Sequence, residues 1–167
     1  MLENPAKIFL GIDPGYDRVG WAFGSVSSRQ VTVLKYGCIQ TNNSDDIQMR
    51  YEQIRAELDA LLTMYTPVQA ALETIFFSKN QTTAIRVSEA RGVIIGELLR
   101  HNVTFYEYNP MSIKLAVTGH GKADKAAVEK MVRLQLRIPV SKVKDDAMDA
   151  LAILLTHAAS ATTQKRV

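Results

Sequence analysis

Asp13 closes an apolar run, "IFLGID", and Pro14-Gly15 follow at once. Glu73 closes a second run, "VQAALE". Near the C-terminus, "VKDDAMDALAILL" sets Asp145, Asp146 and Asp149 at the start of an apolar helical pattern. Asp146 and Asp149 are three residues apart, so they share a helix face. That face continues through Ala150 and Ile153, which marks it as inward. Asp145 and Asp149 also share a face, but that one runs on to Ala152 and Thr156. We therefore assign Asp146 and Asp149 to the interior and Asp145 to capping. Each acid taken singly also has an ordinary reading. Asp before Pro-Gly is common turn chemistry, Glu73 suits a solvated strand end, and acids in a first helical turn suit the helix dipole. Those readings do not explain why Asp149 lies beside apolar positions. Four inward carboxylates repel one another unless cations neutralise them. Oxygen-only ligands suit Mg²⁺ or Mn²⁺. Two such ions ~4 Å apart activate a water and stabilise the leaving oxygen in phosphodiester cleavage. The expected chemistry is metal-dependent phosphoryl transfer.

The elements that must position these acids read as mixed α/β. Residues 7–13 are apolar on both faces and predict a central strand. Residues 19–26 and 31–39 predict two further strands, antiparallel neighbours joined by the turn "SVSSRQ". The cluster "TNNSDD" is helix-capping composition. A helix over about 46–64 follows, with Ile47, Tyr51, Ile54, Leu58 and Leu61 at helical spacing and Pro67 near its end. "VQAALE" predicts a strand, 81–100 a long helix, and "VTFYEY" another strand. Helices over about 110–117, 124–136 and 145–158 complete the chain, broken by "TGHGKAD" and "RIPVSKV". A strand, helix, strand path makes parallel neighbours, so Asp13 and Glu73 are expected together at the carboxyl end of a sheet.

Bulk properties limit the classes. At 167 residues, 47% hydrophobic and 22% charged, the chain suits one globular domain over 1–167, with 1–6 and 160–167 as frayed ends. A net charge of +3 permits a polyanionic partner without demanding one. Cys38 is the single cysteine, so no internal disulfide and no cysteine-based zinc site can form. The absence of a membrane-spanning run or signal-peptide pattern leads us to expect a cytoplasmic protein.

"LGIDPGYDRVGWAF", "ALETIFFSKNQTTAIRVSEARGVI" and "DDAMDALAILLTHA" occur in that order, with "NPMSIKLAVTGHGKADKAAVEKMV" between the last two. Together they resemble the RuvC family of bacterial Holliday junction resolvases, from about Ile8 to Ala158. The resemblance implies a ribonuclease H-like fold, with a five-stranded mixed sheet flanked by helices. It implies a homodimer that nicks two opposed strands of a four-way DNA junction in recombination and repair. It also implies Mg²⁺, with Mn²⁺ as a substitute, at two ions per subunit, and a link to the RuvA and RuvB branch-migration proteins. Carried over by position, the catalytic and metal-binding acids are Asp13, Glu73, Asp146 and Asp149. The match favours Asp146 over Asp145. Some relatives have His in place of the third acid, where this chain keeps Asp. The leading "MLENPA" departs from the pattern.

The resemblance also bears on DNA contacts. Phe76 matches the aromatic that stacks on bases at the junction crossover, and stacking of this kind is worth ~1–3 kcal/mol per base. Phe77 reads equally as a loop anchor in the core, and Lys79 suits a neighbouring phosphate. Lys114 and Lys125 match basic positions that clamp phosphate, and Lys122 lies in the Gly-containing turn between them. Lys130 and Arg137 read as solvated, His120 as loop-exposed and His157 as helix packing. Ala84, Ser88, Gly92 and Gly96 recur every fourth residue. This stripe suits close packing on the parent sheet or on a second copy. Two rival readings remain. "GIDPG" before a hairpin also resembles the phosphate loop of actin-like ATPases, which need two such lobes. A non-catalytic junction-binding protein of the same fold is the other.

Overall fold

The computed structural model describes residues 6–27, 30–74, 81–141 and 143–160. Its elements are β1 (Lys7–Asp13), β2 (Arg18–Ser27), β3 (Gln30–Gln40), α1 (Ile47–Tyr65), β4 (Gln69–Glu73), α2 (Gln81–Arg100), β5 (Thr104–Tyr108), α3 (Pro110–Thr118), α4 (Lys125–Leu136) and α5 (Asp145–Ser160). Every predicted element is present within about two residues of its expected ends. The last helix runs two residues further than expected, to Ser160, and β2 and β3 each gain one residue at either end. Their pairing runs on to Ser27 opposite Gln30, so the strands extend further into "SVSSRQ" than expected.

The sheet has the order β3-β2-β1-β4-β5. β1 pairs antiparallel with β2 and parallel with β4, and β4 pairs parallel with β5. β1 is therefore central, as its two-sided apolar sequence requires. Leu10 and Ile12 enter one core layer, with Ile54, Leu58 and Leu62 of α1 and Ala90, Ile94 and Leu98 of α2. Phe9 enters the opposite layer, with Leu151, Ile153 and Leu154 of α5 and Val128 and Val132 of α4. The fourfold spacing on each helix supplies one apolar stripe per helix, and the twofold alternation on β1 serves both layers.

Helix starts are fixed by caps. Asp46 accepts from Met49 N at 2.9 Å, Asn109 from Ser112 N at 2.8 Å and Asp124 from Ala127 N at 2.7 Å. The last two set the directions of the helices that carry Lys114 and Lys125. Asp145 does not have the capping role assigned above. It is the first residue of α5, Lys144 supplies the carbonyl that accepts from Met148 N at 3.1 Å, and the Asp145 side chain pairs with Lys125.

Two further expectations need correction. α5 is buried on almost all sides, and Ala152 and Thr156 are as enclosed as Ala150 and Ile153. The supposed outward face does not exist, because α5 lies between the sheet and α3 and α4. The four small residues of α2 also do not form one stripe. Ala84 is buried, whereas Ser88, Gly92 and Gly96 face outward. A Cβ added at Gly92 or Gly96 would meet nothing within 4 Å.

Gly11 and Gly20 have the opposite setting. A Cβ on Gly11 would run into the Ala150 carbonyl, and one on Gly20 into the Asp146 carbonyl. Helix backbone thus rests directly on strand backbone. Gly20→Ala is expected to cost about 2–3 kcal/mol, because a carbonyl cannot give way as a flexible side chain can. Urea unfolding measures this, and an unchanged midpoint would contradict the close approach.

Candidate active site

β1 and β4 run parallel in the register Ile12 to Leu72, so Asp13 and Glu73 are the next residues at the same sheet edge. Asp13 also pairs with Gly20 across β1 and β2. The Asp146 backbone rests on Gly20, so α5 starts directly above that pair. Asp146 and Asp149 therefore join Asp13 and Glu73 at the carboxyl end of the central strands. Asp146 and Asp149 side chains are 17% and 40% exposed, against 76% for Asp145.

Burial raises the Asp13 carboxyl from 3.8 to about 8, and the charges of Asp149, Glu73 and Asp146 add to the rise. Burial and Asp149 raise Glu73, with Lys114 acting against them. Burial raises Asp149 too, opposed by Lys125. The four acids thus share one field, and their repulsion is only partly relieved by the protein's own cations. An all-oxygen donor set under this strain fits a hard divalent cation.

The cations surround the acids. Lys125 Nζ lies 3.3 Å from Asp145 Oδ2 and 3.5 Å from Asp149 Oδ2. Burial lowers the affinity of this amine for its proton, but Asp149 and Asp145 outweigh that and raise it overall. Lys114, Lys125, Glu73 and Asp149 line a cavity of about 230 Å³ whose floor includes Ile113 and Val128. Arg18 Nε lies 3.3 Å from Asp146 Oδ2 on the other side.

Lys114 and Lys125 are thus brought to the acids. Lys122 is exposed and lines neither that cavity nor the groove beside Arg18. Phe76, Phe77 and Lys79 lie outside the described residues. His120 is exposed, and His157 is a packing residue. Its Nδ1 lies 2.9 Å from Tyr108 Oη and its Nε2 3.0 Å from Gln69 Oε1, and burial lowers its pKa to about 4. No three of the four acids draw ligand atoms within 4.8 Å of one another. Among the described residues, Asp59, Glu97 and His101 do so, but Arg100 already pairs with both carboxylates there.

Sequence reasoning missed three residues. Buried Arg50 donates to Thr41 Oγ1 at 3.0 Å and to the Tyr16 carbonyl at 3.2 Å, pairs with Asp17, and lies over the Tyr16 ring. It pins the turn that follows Asp13. Its signal was legible, since Arg50 precedes Ile54, Leu58 and Leu62 at fourfold spacing on the apolar face. Arg18 and Cys38, whose Sγ lies 4.0 Å from Asp146 Oδ2, have no such signal, because only strand pairing together with the seating of α5 on Gly20 brings them there.

A mixed five-stranded sheet that gathers acids from β1, β4 and a closing helix at its carboxyl end defines an enzyme of the ribonuclease H-like fold. The family model for crossover junction endodeoxyribonuclease RuvC matches residues 9–157, and the chain belongs to that family. Curated relatives include the crossover junction endodeoxyribonucleases RuvC of Petrotoga mobilis and Brachyspira hyodysenteriae. The first is 40% identical over 150 residues, 90% of this chain and 92% of the relative. The second is 44% identical over 151 residues, 90% and 93% of the two chains. Among solved structures, Thermus thermophilus RuvC in complex with Holliday junction substrate superposes with a TM-score of 0.87. It is 31% identical, over 93% of this chain and 94% of the other. The yeast mitochondrial Holliday junction resolvase shares the fold at 14% identity, with a TM-score of 0.66.

The electrostatics predict a pH effect on stability. Asp13 binds its proton more tightly in the folded state, so its stabilisation is complete below 3.8 and is lost as pH rises through about 8. In chelator, the thermal midpoint is expected to fall between pH 6 and pH 9, and Asp13→Asn to flatten that fall and raise the midpoint at the alkaline end. His157 works with the opposite sign, losing stability as pH falls from 6.5 towards 4, and so touches only the acid edge of that window. An equal alkaline fall in wild type and Asp13→Asn would contradict the assignment.

Proposed function

We infer that this chain is a structure-selective DNA endonuclease that resolves Holliday junctions by metal-dependent nicking of two opposed strands in recombination and repair. The observation that carries the reading is the convergence of Asp13, Glu73, Asp146 and Asp149 at one sheet edge, beside Lys114 and Lys125. Family membership supports the substrate. Neither a nucleotide-binding lobe nor a non-catalytic junction binder is favoured, since the family model spans both ends of the acid set and all four acids are present.

The four carboxylates would hold Mg²⁺, or Mn²⁺ in its place, at two ions per subunit. Bound there, the cations would supply an activated water and offset charge on the leaving oxygen. Water oxygen adds to phosphorus as its proton passes to solvent, the bond to the leaving sugar oxygen breaks, and that oxygen takes up a proton from solvent. Lys114 and Lys125 hold the phosphate from the α3 and α4 side, and Lys125 opposes charge that builds on the phosphoryl oxygens. Phe76 stacks on bases at the crossover and helps to open the strands, with Phe77, Lys79 and Lys122 as further contacts to DNA. RuvA and RuvB are the expected partners in branch migration.

The junction has two strands to cut, and a twofold dimer sets one site on each. The outward face of α2 suits such a contact. Ile85 and Leu99 are exposed large hydrophobics, and Gly92 and Gly96 lie on the same side with open space before them.

Asp13→Asn, Glu73→Gln, Asp146→Asn and Asp149→Asn are each expected to lower junction cleavage at least about a hundredfold while binding survives. Asp145→Asn should be mild, because its carboxylate is exposed and only steadies Lys125. Gel-resolved cleavage of a synthetic four-way junction in Mg²⁺ tests both, and near-wild-type turnover by any of the four removes that residue from the site.

Gly92→Leu tests the dimer. An added Cβ meets nothing within 4 Å among the described residues, and helix propensity improves by about 1 kcal/mol, so the fold should persist. Sedimentation is expected to give a monomer, and paired cutting should be lost. A folded monomer that still makes paired cuts would defeat the dimer reading.

A further inference from the structure

Arg18 is the first residue of β2, paired across the strands with Gln40 of β3, and it stands at the rim of the acid cluster. Its Nε meets Asp146 Oδ2 at 3.3 Å. The two partners are unequal: the Arg18 side chain is 57% exposed and Asp146 is 17% exposed. Asp17, the nearer acid in sequence, is already taken by buried Arg50 and does not compete for Arg18. On its far side Arg18 borders a polar groove of about 700 Å³, lined also by Asp17, Gln40, Thr41, Asn42, Asn43 and Gln53, where the Asp17 charge is met by Arg50. Lys144 stands beside it, with Nζ 2.8 Å from Gln40 Oε1. The acids therefore have a second basic flank, across from Lys114 and Lys125.

We propose that Arg18 is an exchangeable counter-ion: it neutralises Asp146 until a divalent cation takes that carboxylate, and then binds a backbone phosphate of the junction strand in the adjoining groove. This rests on the reading of Asp146 as a metal ligand. A monodentate ion pair with an exposed arginine is weak and readily broken, and a divalent cation shared among several carboxylates out-competes it. Once released, a guanidinium on a short strand end needs only rotamer changes to reach the groove, and its planar fork matches phosphate oxygens. Metal and DNA then favour each other's binding by the same factor, part of which is carried by Arg18. Arg18 is thus a positioning residue, and it supplies charge to DNA only when the site is loaded.

The test measures binding alone. Mn²⁺ is titrated calorimetrically without DNA, and affinity for a four-way junction is measured by fluorescence anisotropy in chelator and in Ca²⁺, with the DNA checked for intactness. Arg18→Gln is expected to bind Mn²⁺ about threefold tighter without DNA, because no cation has to be displaced. Its Ca²⁺-induced gain in junction affinity should be about threefold smaller than that of the wild type, and its salt slope in Ca²⁺ lower by about one. Arg18→Lys, which keeps the charge, should retain most of the gain. Unchanged Mn²⁺ affinity in Arg18→Gln would overturn the exchange, as would an equal loss of junction affinity in chelator and in Ca²⁺, the mark of a static contact. Asp146→Asn separates the two readings. If it keeps wild-type Mn²⁺ affinity, Asp146 is not a ligand and the site reading fails; if it loses Mn²⁺ while Arg18→Gln changes nothing, the exchange alone fails.

Discussion

The direct seating of α5 on β1 and β2 is the contact on which the site depends. Side chains normally keep a helix about a residue's width from a sheet. Here Gly11 and Gly20 remove that spacing, and the helix carbonyls of Ala150 and Asp146 occupy the room where Cβ atoms would stand. Asp146 and Asp149 are thereby lowered to the level of Asp13 and Glu73. Burial of α5 by Leu151, Ile153 and Leu154 then holds the helix down from the same layer.

That placement is electrostatically unfavourable, and the surrounding structure offsets it. Three of the acids have their carboxyl groups raised, chiefly by burial and then by one another. Lys125 and Arg18 each hold one acid from opposite sides. Neither is buried. The turn after Asp13 is fixed independently, by Arg50 of α1 reaching Thr41, Tyr16 and Asp17. Core packing thus sets the acids, while exposed cations at their rim offset part of the charge.

The two helical layers divide the labour. α5, α3 and α4 carry acids and lysines to the sheet edge, where caps on Asn109 and Asp124 aim the two lysine-bearing helices. α1 and α2 supply the second core layer, and α2 also turns an apolar, glycine-bearing face outward. A chain that kept Gly92 and Gly96 only for internal packing would have neighbours close to where their Cβ atoms would stand, and among the described residues it does not.

Much of this was legible in the sequence. Apolar alternation and fourfold spacing determined the strands, the helices and the central place of β1, because burial on one or two faces leaves a local periodic trace. The four acids were legible because Asp13 and Glu73 close strands, while Asp146 and Asp149 share a face of a helical apolar pattern near its start. The tertiary structure decided what had no local trace. It showed that Asp145 is an exposed ion-pair partner of Lys125, since capping depends on backbone geometry at Lys144. It showed that α5 has no outward face, since that depends on α3 and α4 covering it. It brought Arg18 and Cys38 to Asp146 across 128 and 108 positions of chain, respectively, through strand register and helix seating. Periodicity records which side of an element is buried, whereas the partner that buries it is chosen only when the chain closes on itself.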